Sequence, residues 1–456
     1  PDMWAAIRWY RGGAIKIEGG TPLVHDWNKE PDRKKQPIIL TASYRHVMRT
    51  LTDWRYFTTE EQLRRIETNS GPIYVTQQPD NRYRAIVPAR PYHYRKDAEA
   101  TNAILMAYDE EGGYTAGYAA GRAVLDRAQA AVGALSHYRI ELRRQYLLPA
   151  LGELCQAWYG LPDGIHMHGG GWLWEPPAKR TPPGPRCPGD FLSPSRNAFY
   201  PRPSDTVAFF ADGQGQAILD AARAFVEAHR PTKGDGTGTI AAEMFKAIPT
   251  DDELLARNLI GTMIGAIPPM DGNLRGVLLE WLTERTLWRH QAALRRAFCD
   301  GRADSKFTLA RDVLFRPISQ ALCKRPAPDL LYRTVTNPDS DPVFFKSRDK
   351  EGEIRIPANE RDLVVTSLVS ASQETLRPKR GLDGILKTPD GDVSIIFGGR
   401  RRAPYDPRIR NIKYPVHACP AREMALGAIM GIMAALLDAG RIQALPASLI
   451  VRISDW

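Results

Sequence analysis

The stretch that decides the fold is His417-Ala418-Cys419-Pro420, followed by Ala421-Arg422-Glu423-Met424-Ala425-Leu426-Gly427-Ala428-Ile429-Met430-Gly431-Ile432-Met433-Ala434-Ala435-Leu436-Leu437 and closed by Gly440. Proline fits the first position of a helix, where its missing N–H costs nothing, so the spacing predicts a helix opened by Pro420 with Cys419 at its N-cap. Free N–H groups and the helix dipole favour a thiolate there over a thiol, and a thiolate is a nucleophile or a metal ligand. The other reading of Cys419 is an inert, small apolar side chain, the ordinary state of a free cysteine. The local pattern leaves both open.

Working outward, 456 residues that are 43% apolar, 25% charged and 9% aromatic describe a globular chain with a large core and exclude disorder, collagen and coiled coil. At about 150 residues per domain the length allows two or three domains, or one large enzyme domain. Met424 to Leu437 is the longest weakly charged apolar run, and it is shorter than the roughly 20 residues a membrane span needs. No apolar signal run opens the chain, so the expectation is a soluble, cytoplasmic protein without a membrane span. The chain opens at Pro1 without a Met, as a trimmed product does or as one part of a longer polypeptide with a fused upstream domain. Five scattered cysteines without a CxxC indicate neither a disulfide framework nor a zinc ribbon. The formal charge of +10 is spread along the chain, which suits an acidic partner better than nucleic acid.

Residues 1–36 read as an irregular lead-in, and Pro37-Ile38-Ile39-Leu40-Thr41 as the first clear element, with Ser43 capping a short helix through Leu51. Residues 97–160 carry helical spacing broken at Gly112-Gly113. Residues 161–205, with His166, His168, glycines and prolines, read as a long loop or lid; helix returns at Gln214 to His229, before a glycine-rich linker, Lys233 to Gly238. His166 and His168 with Cys155 and Cys187 fit no zinc template. Thr250-Asp251-Asp252-Glu253 is a capping box for a long helix that Pro268-Pro269 either kinks or splits in two. Period-two stretches follow at Glu353 to Pro357, Asp362 to Leu368 and Val393 to Phe397. The expected fold class is mainly α with a small β region.

Taken in order, these pieces resemble the cytochrome P450 superfamily. Cys419, two residues after His417 and opening an apolar helix near the end of the chain, looks like the haem-ligand region. Ile356-Pro357 and Asp362-Leu363-Val364-Val365 resemble the strand ahead of it, Thr41 to Leu51 with Phe57 the N-terminal strand and helix, and Leu254 to Trp281 the long helix that crosses the haem. The likeness covers most of residues 37–456 and implies one haem-thiolate domain there. Three departures stand beside it. Phe397-Gly398-Gly399, which in the family runs directly into the cysteine, is separated from Cys419 by Arg400 to Ala418, and Ala421 stands where a glycine is expected. Gln320-Ala321-Leu322-Cys323 replaces the Glu-x-x-Arg pair. Gly265-Ala266-Ile267-Pro268-Pro269-Met270-Asp271-Gly272-Asn273 replaces the acid-alcohol pair that delivers protons to bound dioxygen.

The resemblance implies haem b (iron protoporphyrin IX), wedged between the long helix and the helix of Cys419, with Cys419 as axial iron ligand. Phe397, His417 and Arg333 are the expected cofactor-binding residues, the last two as cations for the propionates. Gly265, Ala266, Asp271 and Asn273 occupy the catalytic segment; Asp271 or Asn273 either turns inward in place of the missing group or restarts the helix after the prolines. Met263, Ile264, Ile267 and Met270 would face a hydrophobic small-molecule substrate. Arg400-Arg401-Arg402, Arg408, Arg410 and Lys413 would dock an acidic ferredoxin or flavodoxin, or form a solvated loop. Three functions remain: a monooxygenase fed by a redox partner, a peroxygenase or fatty-acid hydroperoxide isomerase needing none, and a haem-binding sensor without turnover.

Overall fold

The computed structural model describes residues 14–17, 38–53, 56–59, 62, 75–77, 83–85, 96–133, 137–160, 165–168, 171–174, 192–201, 205–229, 238–301, 304–336, 343–348, 353–360, 362–380, 386–387, 390–400, 417–444 and 449–454. The chain divides into two compact units. The first comprises Pro1–Glu99, Ser193–Gln216 and Pro326–Pro420, and the second Ala100–Leu192, Ala217–Arg325 and Ala421–Trp456. Helices dominate, with small sheets beside them, as the composition of the elements predicts.

The first unit is organised by a five-stranded sheet in the order Ala14–Ile17, Ile38–Thr41, Leu363–Ser367, Leu330–Val335, Phe57–Thr58. Ile38–Thr41 and Leu363–Ser367 run parallel and the other neighbours antiparallel. Both faces are covered, which is why Leu363-Val364-Val365 reads as continuous rather than alternating hydrophobicity. Ile39, Val364, Phe57 and Val335 pack on Phe345 and Ala358 of the hairpin Val343–Arg348/Glu353–Ala358, while Leu40, Tyr332 and Val365 fill the other side. The expected lead-in thus contains a strand, Ala14–Ile17, paired with Ile38–Thr41. Helix Tyr44–Thr52, capped by the Ser43 hydroxyl accepting from His46 N–H (3.4 Å), sets Val47 and Leu51 against Leu331, Leu368 and Ile395.

Two helices in direct backbone contact make the centre of the second unit. Glu110–Val132 and Arg422–Asp438 meet through glycines: Gly113, Gly117 and Gly121 on one, Gly427 and Gly431 on the other. A Cβ at Gly117 would lie 2.5 Å from the Ala428 carbonyl oxygen, and a Cβ at Gly427 or Gly431 would overlap the carbonyl oxygens of Glu110 or Tyr114. Gly112-Gly113 therefore does not break the helix as the sequence suggested. Asp109 caps it by accepting from Gly112 N–H (2.7 Å), and Gly113 is needed for the approach to Met424. Tyr146 donates to the Ile432 carbonyl (2.5 Å), and Gln291 Nε2 donates to the last carbonyls, of Leu437 (2.9 Å) and Gly440 (2.7 Å).

Asp252–Thr283 is one uninterrupted helix through Pro268 and Pro269. A proline inside a helix costs about 3 kcal/mol, but Ile264, Ile267, Met270, Leu274 and Leu278 are buried on both sides of the pair, and their burial offsets the loss. Its cap is Asp251, accepting from Leu254 N–H (2.9 Å), one residue later than the expected box. Two other expectations change. Val393–Phe397 is a 3-10 helix rather than a strand, because Asp392 accepts from Ser394 N–H and Oγ and curls the chain. The region 161–205 contains a hairpin, Ile165–His168 with Gly171–Trp174, and helix Leu192–Phe199.

Gly427→Ala is expected to lower stability by about 3 kcal/mol or more, since backbone rather than a yielding side chain must move. Gly213→Ala, in helix Asp205–His229 with nothing within 4 Å of the new Cβ, should gain up to about 1 kcal/mol. Urea unfolding of both variants measures the contrast.

Candidate functional site

Three site residues of the first unit, Phe397, His417 and Cys419, meet at a glycine turn. After Val393–Phe397 the chain turns through Gly398 (φ +76°) and Gly399 (φ +110°), whose N–H groups donate to the carbonyls of Ile395 and Ser394 (both 2.9 Å). The Cys419 N–H donates to the Phe397 carbonyl at 2.8 Å, and Ala418 Cα and the His417 carbonyl lie 3.5 Å from where a Gly398 Cβ would stand. The ends of the 400–418 excursion therefore meet, and the separation in sequence between Phe397-Gly398-Gly399 and Cys419 disappears in space. Arg400 is exposed; Arg401, Arg402, Arg408, Arg410 and Lys413 lie outside the described residues.

The turn is anchored from behind. The Tyr44 hydroxyl donates to Asp392 (3.2 Å), Asp392 N–H donates to the Thr375 hydroxyl (2.8 Å), and Tyr44 N–H donates to Glu374 Oε2 (2.8 Å). Burial, and then the Asp392 carboxylate, raise the Tyr44 pKa, so the phenol stays a donor above its usual range. Sequence reasoning missed this brace; Asp392 two residues ahead of Ser394 is the signal that would have found it.

Cys419 is half-buried, like His417 and Phe397. Cys155, Cys299, Cys323 and Cys419 are all thiols. The helix after Cys419 has its N-cap at Ala421 and starts at Arg422, so Cys419 precedes the cap by two residues instead of occupying it. Ala421 (φ −91°, ψ 19°) accepts the first intrahelical bond, from Ala425 N–H (2.9 Å), and Pro420 belongs to the turn. Cys155, the other thiol of the discarded zinc reading, is fully buried and its pKa pushed well up. Among the described residues no group of three His, Cys, Asp or Glu side chains could hold a metal ion.

Arg333 lies on the strand Leu330–Val335, opposite Val364, and is 4% exposed. Its Nη1 donates to the Tyr332 carbonyl (2.8 Å), while Nε has no hydrogen-bond partner and no carboxylate pairs with it among the described residues. Burial pushes the guanidinium down to about 10. A buried cation without a counter-charge is costly, and a carboxylate brought in by a ligand would relieve it.

In the second unit the long helix carries Gly265 and Ala266, both partly exposed, with nothing within 4 Å of a Gly265 Cβ. Asp271 is 2% exposed; its Oδ2 sits between Arg275 (3.2 Å) and Arg143 (3.5 Å) in an ion-pair cluster, its Oδ1 has no hydrogen-bond partner, and because the helix runs unbroken through the prolines it does not restart one. Asn273 is buried. The nearest hydroxyl along the helix, Thr262, donates to Leu259 O (2.8 Å) and accepts from Tyr159 (3.0 Å). In place of a Glu-x-x-Arg pair, Glu280 is bridged by Lys324 (2.5 Å) and Arg325 (3.1 Å), which ties the ends of Asp252–Thr283 and Lys306–Lys324 together. No helix is long and apolar enough to cross a membrane among the described residues.

No family model and no curated protein matches the chain. Solved structures do. Over 99% of this chain and 92% of the other it superposes on the crystal structure of a cytochrome P450, CYP102L1, with TM-score 0.59 and 14% identity. Over 100% and 95% it superposes on the tirandamycin C-bound P450 monooxygenase TamI, with TM-score 0.53 and 16% identity. At such identities the likeness establishes the fold: the chain has the cytochrome P450 fold.

Gly398→Ala should cost about 1 to 2 kcal/mol from the left-handed backbone alone, since the space for a Cβ is there. Gly398→Asn should cost less, because asparagine tolerates that conformation. Thermal unfolding of the pair separates backbone strain from crowding.

Proposed function

We propose that the protein is a haem-thiolate oxidoreductase that inserts oxygen into, or otherwise oxidises, a hydrophobic organic molecule. The observation that carries this reading is the meeting of the Phe397-Gly398-Gly399 turn with Cys419, on a chain of P450 fold. Arg333 provides the test of fit: a buried guanidinium with an unpartnered Nε suits a propionate of haem b. Cys419 would hold the iron, and His417 would be the second cation beside it. Bound through a thiolate, haem supplies cleavage of an O–O bond and transfer of one oxygen atom, the other leaving as water.

The chain's own contribution is positioning. The Phe397 carbonyl fixes the Cys419 backbone, and the brace of Tyr44, Asp392 and Thr375 holds the turn that presents it. Met263, Ile264, Ile267 and Met270 give the long helix an apolar character suited to a hydrophobic substrate. Among the described residues Gly265–Asn273 offers no alcohol, and the nearest one, Thr262, is bonded to Leu259 and Tyr159; the acid of the segment, Asp271, pairs through Oδ2 with Arg143 and Arg275 and leaves Oδ1 without a hydrogen-bond partner.

That last observation favours a second reading, in which peroxide or a lipid hydroperoxide brings both oxygen and electrons and no ferredoxin or flavodoxin is required. The exposed Arg400, which opens a run of basic residues in the sequence, supports the first reading. A cytoplasmic location belongs to the same proposal.

Purified wild type, reduced under carbon monoxide, is expected to show the red-shifted Soret band of a thiolate ligand, and Cys419→Ala to lose it. A protein that takes up no haem overturns the proposal; one that takes it up but forms no product with any of the oxidants is a sensor. Arg333→Ala should release haem to apomyoglobin about tenfold faster or more, with Arg333→Lys intermediate, because the point charge returns without the fork. Product formation with hydrogen peroxide against NADPH plus a ferredoxin system separates the two oxidants.

A further inference from the structure

We infer that the outer face of a three-stranded sheet in the second unit docks an acidic helix of a partner polypeptide. The sheet runs in the order Arg441–Ala444, Ile450–Ser454, His137–Glu141, and both pairs are antiparallel. Successive side chains of a strand point to opposite faces, and Tyr138, Ile140, Ile442, Val451 and Ile453 are buried. His137, Arg139, Arg441, Gln443, Ile450 and Arg452 therefore share the other face, all exposed except the half-buried Arg452. Register places Arg139 directly opposite Arg452, with Gln443 on the far side of Arg452. Two residues along, His137 and Arg441 flank Ser454 from either side.

Side chains directly opposite in an antiparallel pair have Cβ atoms roughly 5 Å apart, and like charges so placed destabilise a sheet. The chain does not neutralise them itself. Among the described residues none of Arg139, Arg441 and Arg452 pairs with a carboxylate; Arg452 Nη2 donates to the Gln443 amide oxygen. Glu141, the carboxylate that these strands carry on the same face, is committed to the Arg144 N–H at the start of the helical segment Leu142–Leu147. Spacing identifies the partner. Neighbouring strands lie about 4.8 Å apart, and a helix rises about 5.4 Å per turn with residues three or four apart on one side. A helix lying across the strands with Glu or Asp at i and i+4 thus offers one carboxylate per turn to one guanidinium per strand, and guanidinium takes carboxylate in a two-pronged bond. Ile450, 37% exposed and two residues from Arg452, adds an apolar contact beside the cations, and arginine beside apolar side chains is the composition of a protein interface. Nucleic acid fits less well, because the face has no Phe, Tyr or Trp on which bases could stack.

The test uses the full chain and two fluorescein-labelled, hydrocarbon-stapled helical peptides of the same composition. One carries its glutamates at i and i+4, on one side of the helix; the other carries them at i and i+2, on different sides. Fluorescence anisotropy at low salt should show the first binding about fivefold or more tightly. Arg139→Gln/Arg452→Gln should weaken that binding about tenfold or more, and should melt no lower than wild type because the like-charge pair is gone. Arg296→Gln, at an exposed arginine of helix Leu287–Asp300, removes the same kind of charge elsewhere and should leave binding within about twofold of wild type. Binding of neither peptide, equal binding of both, a double variant that binds like wild type, or an equal loss in Arg296→Gln overturns the inference. So does tighter binding of a single-stranded oligonucleotide, or of phosphatidylserine vesicles, that the double variant abolishes. The readout needs no haem, so its failure and the failure of the proposed function are separate results.

Discussion

A single backbone hydrogen bond, 2.8 Å from Cys419 N–H to the Phe397 carbonyl, joins the two ends of the insertion and sets the Cys419 backbone beside the glycine turn. The candidate site depends on that closure. Chain-closure entropy grows only slowly with the number of residues between two joined points, so the insertion between Gly399 and Cys419 adds little to the cost of bringing them together. The pin is built from short-range chemistry: Asp392 curls Val393–Phe397 into a 3-10 turn, Gly398 and Gly399 take conformations that side chains resist, and Tyr44 ties the assembly to the N-terminal helix.

Much of the fold was legible in the sequence because it rests on periodicity. Asp362 to Leu368 reads as a strand, although burial on both faces replaces the period-two alternation expected there, and the capping box before Leu254, Leu255 and Leu259 marks the start of a helix to within one residue. What the sequence hid depends on neighbours that are distant along the chain. Ala14–Ile17 is a strand because Ile38–Thr41 lies beside it, and Gly112-Gly113 is helical because Met424 needs the room. Val393–Phe397 has the β-branched composition of a strand, and a side-chain oxygen overrode it.

The site was legible in part. Cys419 stood out through Pro420 and the apolar helix after it, although the helix begins later than proline placement suggested. Arg333 was singled out by resemblance, and the structure adds a reason of its own, a buried guanidinium lacking a counter-charge among the described residues. Asp271 illustrates the opposite case. Residue type alone made it a candidate in place of the missing group, but only the positions of Arg143, more than a hundred residues earlier, and Arg275 reveal that one of its carboxylate oxygens is held in ion pairs while the other has no partner. The bridge of Glu280 to Lys324 and Arg325 likewise has no local signature, since each partner looks like an ordinary surface charge until the two helix ends are brought together.

The glycine seam between Glu110–Val132 and Arg422–Asp438 also governs how the second unit can move. Where helices touch through large side chains, rotamer changes absorb small displacements. Carbonyl oxygens resting on glycine Cα atoms have no rotamers, so one helix can slide along the other only as a rigid rod, and only by lifting out of register. Small fluctuations in one rod are therefore passed to the other nearly undamped. The seam works as a stiff mechanical reference, and compliance in the second unit has to reside in elements other than these two helices.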